Sequence, residues 1–303
     1  MTQQTKAYLY ALAVVLIWST VASAFKITLR FIDYQNLVFY SVSVSLLTLL
    51  VILIVQKKHV LLAHCTLRDY SHSALLGFLN PFLYYLVLFR AYSLLPAQEA
   101  QPLNQTWAII IAIFSIIILR QKISAKSIGA IFTSFIGVVV ISTRGNILQL
   151  RLTNLTGVLL AIGSAFIWAL YWIYNLKDRR NDVVKLFLNF AFGFVFISLY
   201  MLITGQLRIP EARGAFGSAY VGIFEMGITF ILWLTALRLS KTTAQVSNII
   251  YLVPFLSLVI IHVTVGEQIY PSTIIGLAFI VAGILLQQRE AYSSVGAKYR
   301  HIE

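Results

Sequence analysis

The stretch Ala100-Gln-Pro-Leu-Asn-Gln-Thr-Trp107 returns in the second half of the chain as Ala244-Gln-Val-Ser-Asn-Ile-Ile-Tyr251. Shared between the copies are Ala100 and Ala244, Gln101 and Gln245, Asn104 and Asn248, and an aromatic at Trp107 and Tyr251. The loop after the first copy carries Arg120, Lys122 and Lys126, whereas the loop after the second carries no Lys or Arg and only Glu267. A unit with an odd number of membrane-crossing helices turns over when it is duplicated. Its basic residues must then change ends to stay on the cytoplasmic side. The expectation is one five-helix unit used twice, over 7–143 and 154–288, followed by a cytoplasmic tail over 289–303.

Composition points the same way. Of 303 residues, 59% are hydrophobic and 11% are charged, and the mean hydropathy is +0.85. Soluble domains are nearer 45–50% apolar and about 25% charged. Apolar runs of about 20 residues recur, each able to cross a hydrocarbon core of about 30 Å. The fold class is an all-α polytopic membrane protein of ten transmembrane helices, a 5+5 inverted-topology repeat. The spans fall near 7–27, 34–55, 70–92, 99–119, 125–142, 154–175, 185–205, 215–238, 244–264 and 272–288. The first apolar run lacks a small-residue cleavage site and is expected to be retained as a helix.

The net charge of +13 sits in short turns between apolar runs, so topology accounts for it and no nucleic-acid partner is expected. With the N-terminus inside, the outer segments hold Lys26, Arg30, Arg90, Arg144, Arg151, Arg208 and Arg213. That is 7 of the 23 Lys and Arg residues, leaving 16 for the cytoplasmic side. The bias puts both termini in the cytoplasm. The single cysteine, Cys65, rules out an intramolecular disulfide and a cysteine metal cluster. His59, His64 and His72 lack metal-site spacing, and no nucleotide, phosphate or nucleophile motif is found. No cofactor and no metal are expected.

Spacings of three put Gln101, Asn104 and Trp107 on one helical face, and likewise Gln245, Asn248 and Tyr251. Amides at membrane depth need protein, water or solute partners. In an inverted pair the two sets are matched elements of a cavity or its gates; the alternative is bonding between packed helices. Glu225 lies inside the apolar run of helix 8. There an ionised carboxylate has to face a wet cavity, pair with a base or hold a proton, unless it serves as a structural hydrogen-bond acceptor. Gly77 to Ala91 aligns without gaps on Gly222 to Ala236, which pairs Glu225 with Asn80 beside Pro81. Trp18 corresponds to Trp168; rings with a few polar groups suit an amphipathic solute, though belts and packing also use them. Pro254 in helix 9 is a hinge candidate or a static kink. Ala130 and Ser134 in helix 5, and Ala278 and Ala282 in helix 10, have small-residue spacing for close packing, within the monomer or across a homodimer.

Trp18 followed by Phe25, its partner Trp168, and the Pro254 to Glu267 stretch ending in Gly266-Glu267 resemble the ten-helix drug/metabolite transporter superfamily of the EamA type. The resemblance spans residues 7–288. The first half departs from the pattern, with Ile109 or Ile110 where a Pro is expected and Gln121 or Lys122 where a Glu is common. It implies a secondary transporter of a small-molecule substrate, an amino acid or similar, exported by alternating access across a bacterial cytoplasmic (inner) membrane. It also implies a central cavity lined by helices 1, 3, 4, 6, 8 and 9, with 5 and 10 outside. The bilayer is the obligate partner, and protons are coupling candidates through Glu225. An integral-membrane enzyme and a non-transporting membrane partner are the competing readings, and the 10 dispersed acidic residues speak against the first.

Overall fold

Hydrocarbon offers backbone amides no hydrogen-bond partner, so a chain this apolar satisfies them within helices. The computed structural model describes residues 1–110, 113–114, 125–146, 154–240 and 248–299, and no β-strand occurs among them. In chain order the helices are α1 (Gln3–Thr28), α2 (Tyr34–Val55), α3 (Leu67–Leu94), α4 (Ala97–Asn104), α5 (Ala125–Ser142), α6 (Leu155–Lys177), α7 (Asp182–Thr204), α8 (Ala212–Leu239), α9 (Val253–Val265) and α10 (Pro271–Tyr299). Six of them, α1, α2, α3, α6, α7 and α8, are long and apolar enough to cross a membrane; the apolar parts of α5, α9 and α10 are shorter.

Short polar residues set the helix starts. Asp33, Asn154 and Asn181 accept first-turn N–H groups of α2, α6 and α7, and Thr66 with Asp69 makes a capping box for α3. Gly205 and Gly266, at φ 63° and 80°, end α7 and α9 in the left-handed region that suits glycine.

The two halves pack reciprocally. The C-terminal half of α8 lies on α1, and the C-terminal half of α3 lies on α6; the N-terminal part of α3 packs on α7, and the centre of α8 on α2. A Cβ on Gly77 would strike the backbone of Asn189 and Gly193 in α7, and one on Gly222 would strike the backbone of Ser41 and Ser45 in α2. Each glycine thus lets its helix seat against the second helix of the other repeat. Between α5 and α10, Gly137 meets the Gly276 backbone and Ile280, while Gly283 meets Ala130 and Ser134. Residue numbers rise along one helix as they fall along the other, so these equivalent helices run antiparallel, as an inverted duplication requires.

Ala130 and Ser134 face α10 inside the chain, where Gly283 meets both and the Ser134 hydroxyl donates to the Ile280 carbonyl, while Ala278 and Ala282 are exposed. One expectation is corrected here. Helix 4 is not continuous from its start: α4 ends at Asn104, Gln105 and Thr106 form a turn, and helix resumes over 107–110.

Irregular backbone recurs at equivalent positions. A π-helical segment, Phe78–Leu83, interrupts α3, and another, Val221–Ile228, interrupts α8. With Gly77 aligned on Gly222, Leu83 falls on Ile228, so both segments end at the same place in the repeat. In the first, Asn80 leaves helical geometry before Pro81, which has no N–H to offer the preceding turn. In the second, the Thr229 hydroxyl donates to the Phe224 carbonyl. The break after Asn104 likewise has its counterpart in a 3₁₀ turn, Asn248–Leu252, ahead of α9.

Candidate functional site

A cavity of about 340 Å³ is lined by Glu225 of the second π segment, Gln105 of the turn after Asn104 and Ile250 of the 3₁₀ turn, with further walls from α1, α3, α4, α6 and α8. All five tryptophans of the chain, Trp18, Trp107, Trp168, Trp172 and Trp233, face it. Trp168 stacks on Tyr84 with centroids 4.5 Å apart, and Trp18 lies 5.9 Å from Trp233. Trp172 is parallel to Phe230 within 11°. Rings locked by other rings are rigid walls for a flat or apolar solute.

The polar atoms are few. Glu225, in the π segment of α8, is 8% exposed and reaches the cavity. Its Oε1 accepts the Tyr85 hydroxyl at 3.0 Å, while Oε2 has no partner among the described residues. The Trp18 indole N–H is close to the same carboxyl without completing a hydrogen bond. Among the described lining residues there is one acid and no Lys, Arg or His.

Gln101, Asn104 and Trp107 line the cavity together. Gln101 Nε2 donates to Ser257 Oγ at 2.7 Å, and Ser257 donates to the Ser19 carbonyl at 2.8 Å, joining α4 to α9 and α1. Gln101 Oε1 has no partner among the described residues. Asn104 donates to Ser164 at 2.8 Å and accepts the Tyr84 hydroxyl at 3.3 Å. Each amide therefore ties helices together, and both lie among the residues that line the cavity. Gln105, which accepts the Trp107 indole N–H at 3.0 Å, also lines the cavity. The sequence pattern misses it, because only the turn after Asn104 brings it round to that face.

Of the other candidates, Asn80 is fully buried and is not among the cavity lining. Gln245 lies outside the described residues, as do the side chains of Asn248 and Tyr251. Pro254 stands in the first turn of α9 rather than in mid-helix, where its missing N–H costs nothing. The irregularity lies in the 3₁₀ turn before it.

Both ends of the bundle are tied. At one end, Glu267 accepts the Ala97 and Gln98 N–H groups at 2.8 and 3.1 Å, holding the second repeat to the start of α4. Lys26 donates to the Tyr92 and Leu95 carbonyls at 2.8 and 2.6 Å, Arg30 to the Val265 carbonyl at 2.8 Å, and Arg144 pairs with Glu99 at 2.8 Å. At the other end, Arg180 bridges Asp178 and Ser73. Burial acts to raise the Asp178 carboxyl, but hydrogen bonds from Arg180 hold it below the usual carboxylate range. No group of three or more His, Cys, Asp or Glu placed to hold a metal occurs among the described residues.

The profile of the EamA-like transporter family matches residues 5–143 and again 155–287. A protein of Archaeoglobus fulgidus called an uncharacterized transporter is 25% identical over 288 residues, covering 93% of this chain and 97% of its own. Another of that description from Clostridium kluyveri is 26% identical over 226 residues, 72% of each chain. The uncharacterized transporter YvbV of Bacillus subtilis is 26% identical over 242 residues, 78% of this chain and 77% of its own. A solved structure, described as the crystal structure of a protein, superposes with a TM-score of 0.64 at 20% identity over 95% of this chain and 98% of that one. That last likeness bears on the fold alone.

Proposed function

Since the chain belongs to the EamA-like transporter family, we propose that it exports a small amphipathic metabolite, an amino acid or similar compound, by alternating access. The membrane is a bacterial cytoplasmic membrane, with both termini inside. The observation that carries this reading is the cavity itself. It is built from both repeats, it borders the helix interruptions after Asn104 and ahead of α9, and its described walls are five tryptophans around one acid. Transporters place their sites at such a repeat interface, beside helices that break.

The lining favours a solute with an apolar or aromatic body and a positively charged amine. Tryptophan faces attract cations, and Glu225 is the one formal charge in the described lining. Gln101, Asn104 and Gln105 supply neutral amides for the rest of the polar group. Glu225 is then the group that binds the amine or a proton in turn, so that movement of one is linked to movement of the other. In this orientation the end held by Glu267 and Lys26 faces outside. Its bonds between the repeats must part for the cavity to open there, and they re-form when it opens inward.

Counterflow in liposomes tests the reading. Vesicles loaded with an unlabelled amino acid should take up the same labelled compound, most strongly for aromatic and cationic members of a mixed panel. Glu225→Gln should lose the pH dependence of that flux. Failure of every amino acid and amine to exchange would refute the substrate class. Wild-type rate and wild-type pH dependence in Glu225→Gln would refute the coupling role.

A further inference from the structure

At the end of the bundle tied by Arg180, an open groove of about 880 Å³ lies between the first turns of α3 and the end of α6. The course of α3 accounts for it. Its N-terminal part packs mainly on α7, while its C-terminal half packs on α6. Arg180 fastens the two walls together. It is paired with Asp178, and it donates to the Asp69 carbonyl at 3.2 Å and to Ser73 Oγ at 2.8 Å. Its charge is thereby neutralised within the protein.

Three other cations of the lining are not. Arg68, Lys177 and Arg179 are exposed and have no acidic partner among the described residues. Lys177 lies over the Tyr174 ring, 5.7 Å from its centroid. With His72 neutral, four cations against Asp69 and Asp178 leave the described lining at +2. The positive-inside bias asks only that Lys and Arg occupy loops on one side. It does not ask that they converge from two helices on one open space. Guanidinium and ammonium groups gathered around such a space suit the oxygens of a phosphate ester.

The position narrows the ligand. The segments Leu67–Leu94 and Leu155–Asn175 are both long and apolar enough to cross a membrane. Arg68 stands at the start of the first, and Lys177 and Arg179 stand just past the end of the second. The groove is therefore at headgroup depth. Its apolar wall continues toward the hydrocarbon: Leu75 lines it and is exposed, and Phe78, three residues further along the same helix, is exposed as well. A lipid with an anionic head and acyl chains uses both parts, whereas a soluble phosphate ester uses only the first. Basic pockets between membrane helices are known to hold such heads.

We propose that this groove binds one anionic phospholipid, with Arg68, Lys177 and Arg179 around its phosphate and Leu75 and Phe78 along an acyl chain. In the orientation given above, the lipid belongs to the cytoplasmic leaflet. The site is separate from the solute cavity, and its test needs no solute.

Native mass spectrometry of the full-length protein in dodecyl maltoside, titrated with phosphatidylglycerol or phosphatidylcholine, counts the lipids retained and gives their apparent affinities. Each Lys or Arg near an anionic headgroup contributes roughly five-fold in affinity. A net lining charge of +2 then predicts a preference of about 25-fold for phosphatidylglycerol. The expected result is one such lipid per chain, retained in millimolar glycerol phosphate. Arg68→Gln, Lys177→Gln and Arg179→Gln together leave Arg180 alone against two carboxylates and should abolish the preference. Lys6→Gln, Lys57→Gln and Lys58→Gln remove the same charge outside the described lining and should preserve it. If the groove triple variant does not fold, Arg179→Gln alone, which alters one exposed side chain, should lower the preference about five-fold. Equal retention of the two lipids would overturn the proposal, as would a preference that survives in the folded groove variant. Equal loss in the two triple variants would overturn it in favour of diffuse surface charge. Displacement of the lipid by millimolar glycerol phosphate would overturn it in favour of a soluble phosphate ester.

Discussion

Replacing Glu267 by Ala should open the cavity toward the side we assign as outer. The carboxylate accepts two N–H groups, those of Ala97 and Gln98, whose residues are buried at the start of α4. It reaches them from the loop after α9, so the bonds hold one repeat to the other. A hydrogen bond to a charged group is worth about 1.5–3 kcal/mol when buried. Glu267 is itself partly exposed, and water serves the freed N–H groups once the end opens. About 1 kcal/mol per bond is then the appropriate figure, or about 2 kcal/mol in all. At 1.4 kcal/mol for each factor of ten, the outward-open population should rise about 30-fold. Glu267→Gln keeps an acceptor but loses the charge, and should give a rise of only a few-fold. The assay uses Ala22→Cys, on the buried outer half of the cavity wall, in a Cys65→Ser background that removes the chain's one native cysteine. The rate of labelling by an impermeant maleimide from outside reports the opening. A folded Glu267→Ala protein that labels at the parental rate would refute the idea that these bonds hold the gate.

Three further outcomes follow from the packing and the charges. Gln101→Ala leaves the Ser257 to Ser19 hydrogen bond in place, so it should cost only about 1 kcal/mol of stability while counterflow collapses; normal flux would make Gln101 packing alone. Gly137→Leu should drive its side chain into the Gly276 backbone and Ile280 and lower stability by roughly 3 kcal/mol or more. Gly129→Leu, with nothing within 4 Å of its would-be Cβ, is the control, and equal losses in Tm for the two would sink the proposed interface. The depressed Asp178 carboxyl contributes stability that is present above the ordinary carboxylate pKa and is lost as pH falls through its folded value. Wild-type Tm should therefore drop more steeply than that of Asp178→Asn as pH falls from about 5 to about 3; parallel curves would refute the pairing with Arg180.

The helical class, the duplication and the Gln101, Asn104, Trp107 face are legible in the chain because each depends on local spacing. The π segments and the turn after Asn104 are not, since a helix leaves regular geometry where tertiary neighbours hold it there. Pro81 is the single local hint, and it marks only one of the two π segments. The same separation explains why Asn80 and Glu225, equivalent by alignment, end in different places. The backbone around them is matched, with a glycine three residues before each, a π segment around each and a tryptophan-bearing helix packed nearby. The side chains they meet are not. Tyr85 holds Glu225 at the cavity through its hydroxyl. The same alignment puts Phe230 at the position of Tyr85, and Phe230 packs against Trp168 with no hydroxyl to offer. An acid at position 80 would lack that donor, and the amide found there is fully buried away from the cavity instead. Two substitutions, Glu for Asn and Tyr for Phe, thus let one half of a symmetric backbone present a carboxyl group to the cavity while the other buries a neutral amide. The symmetry of the fold is readable from periodicity and charge, whereas the asymmetry that makes a site needs to be seen in contacts.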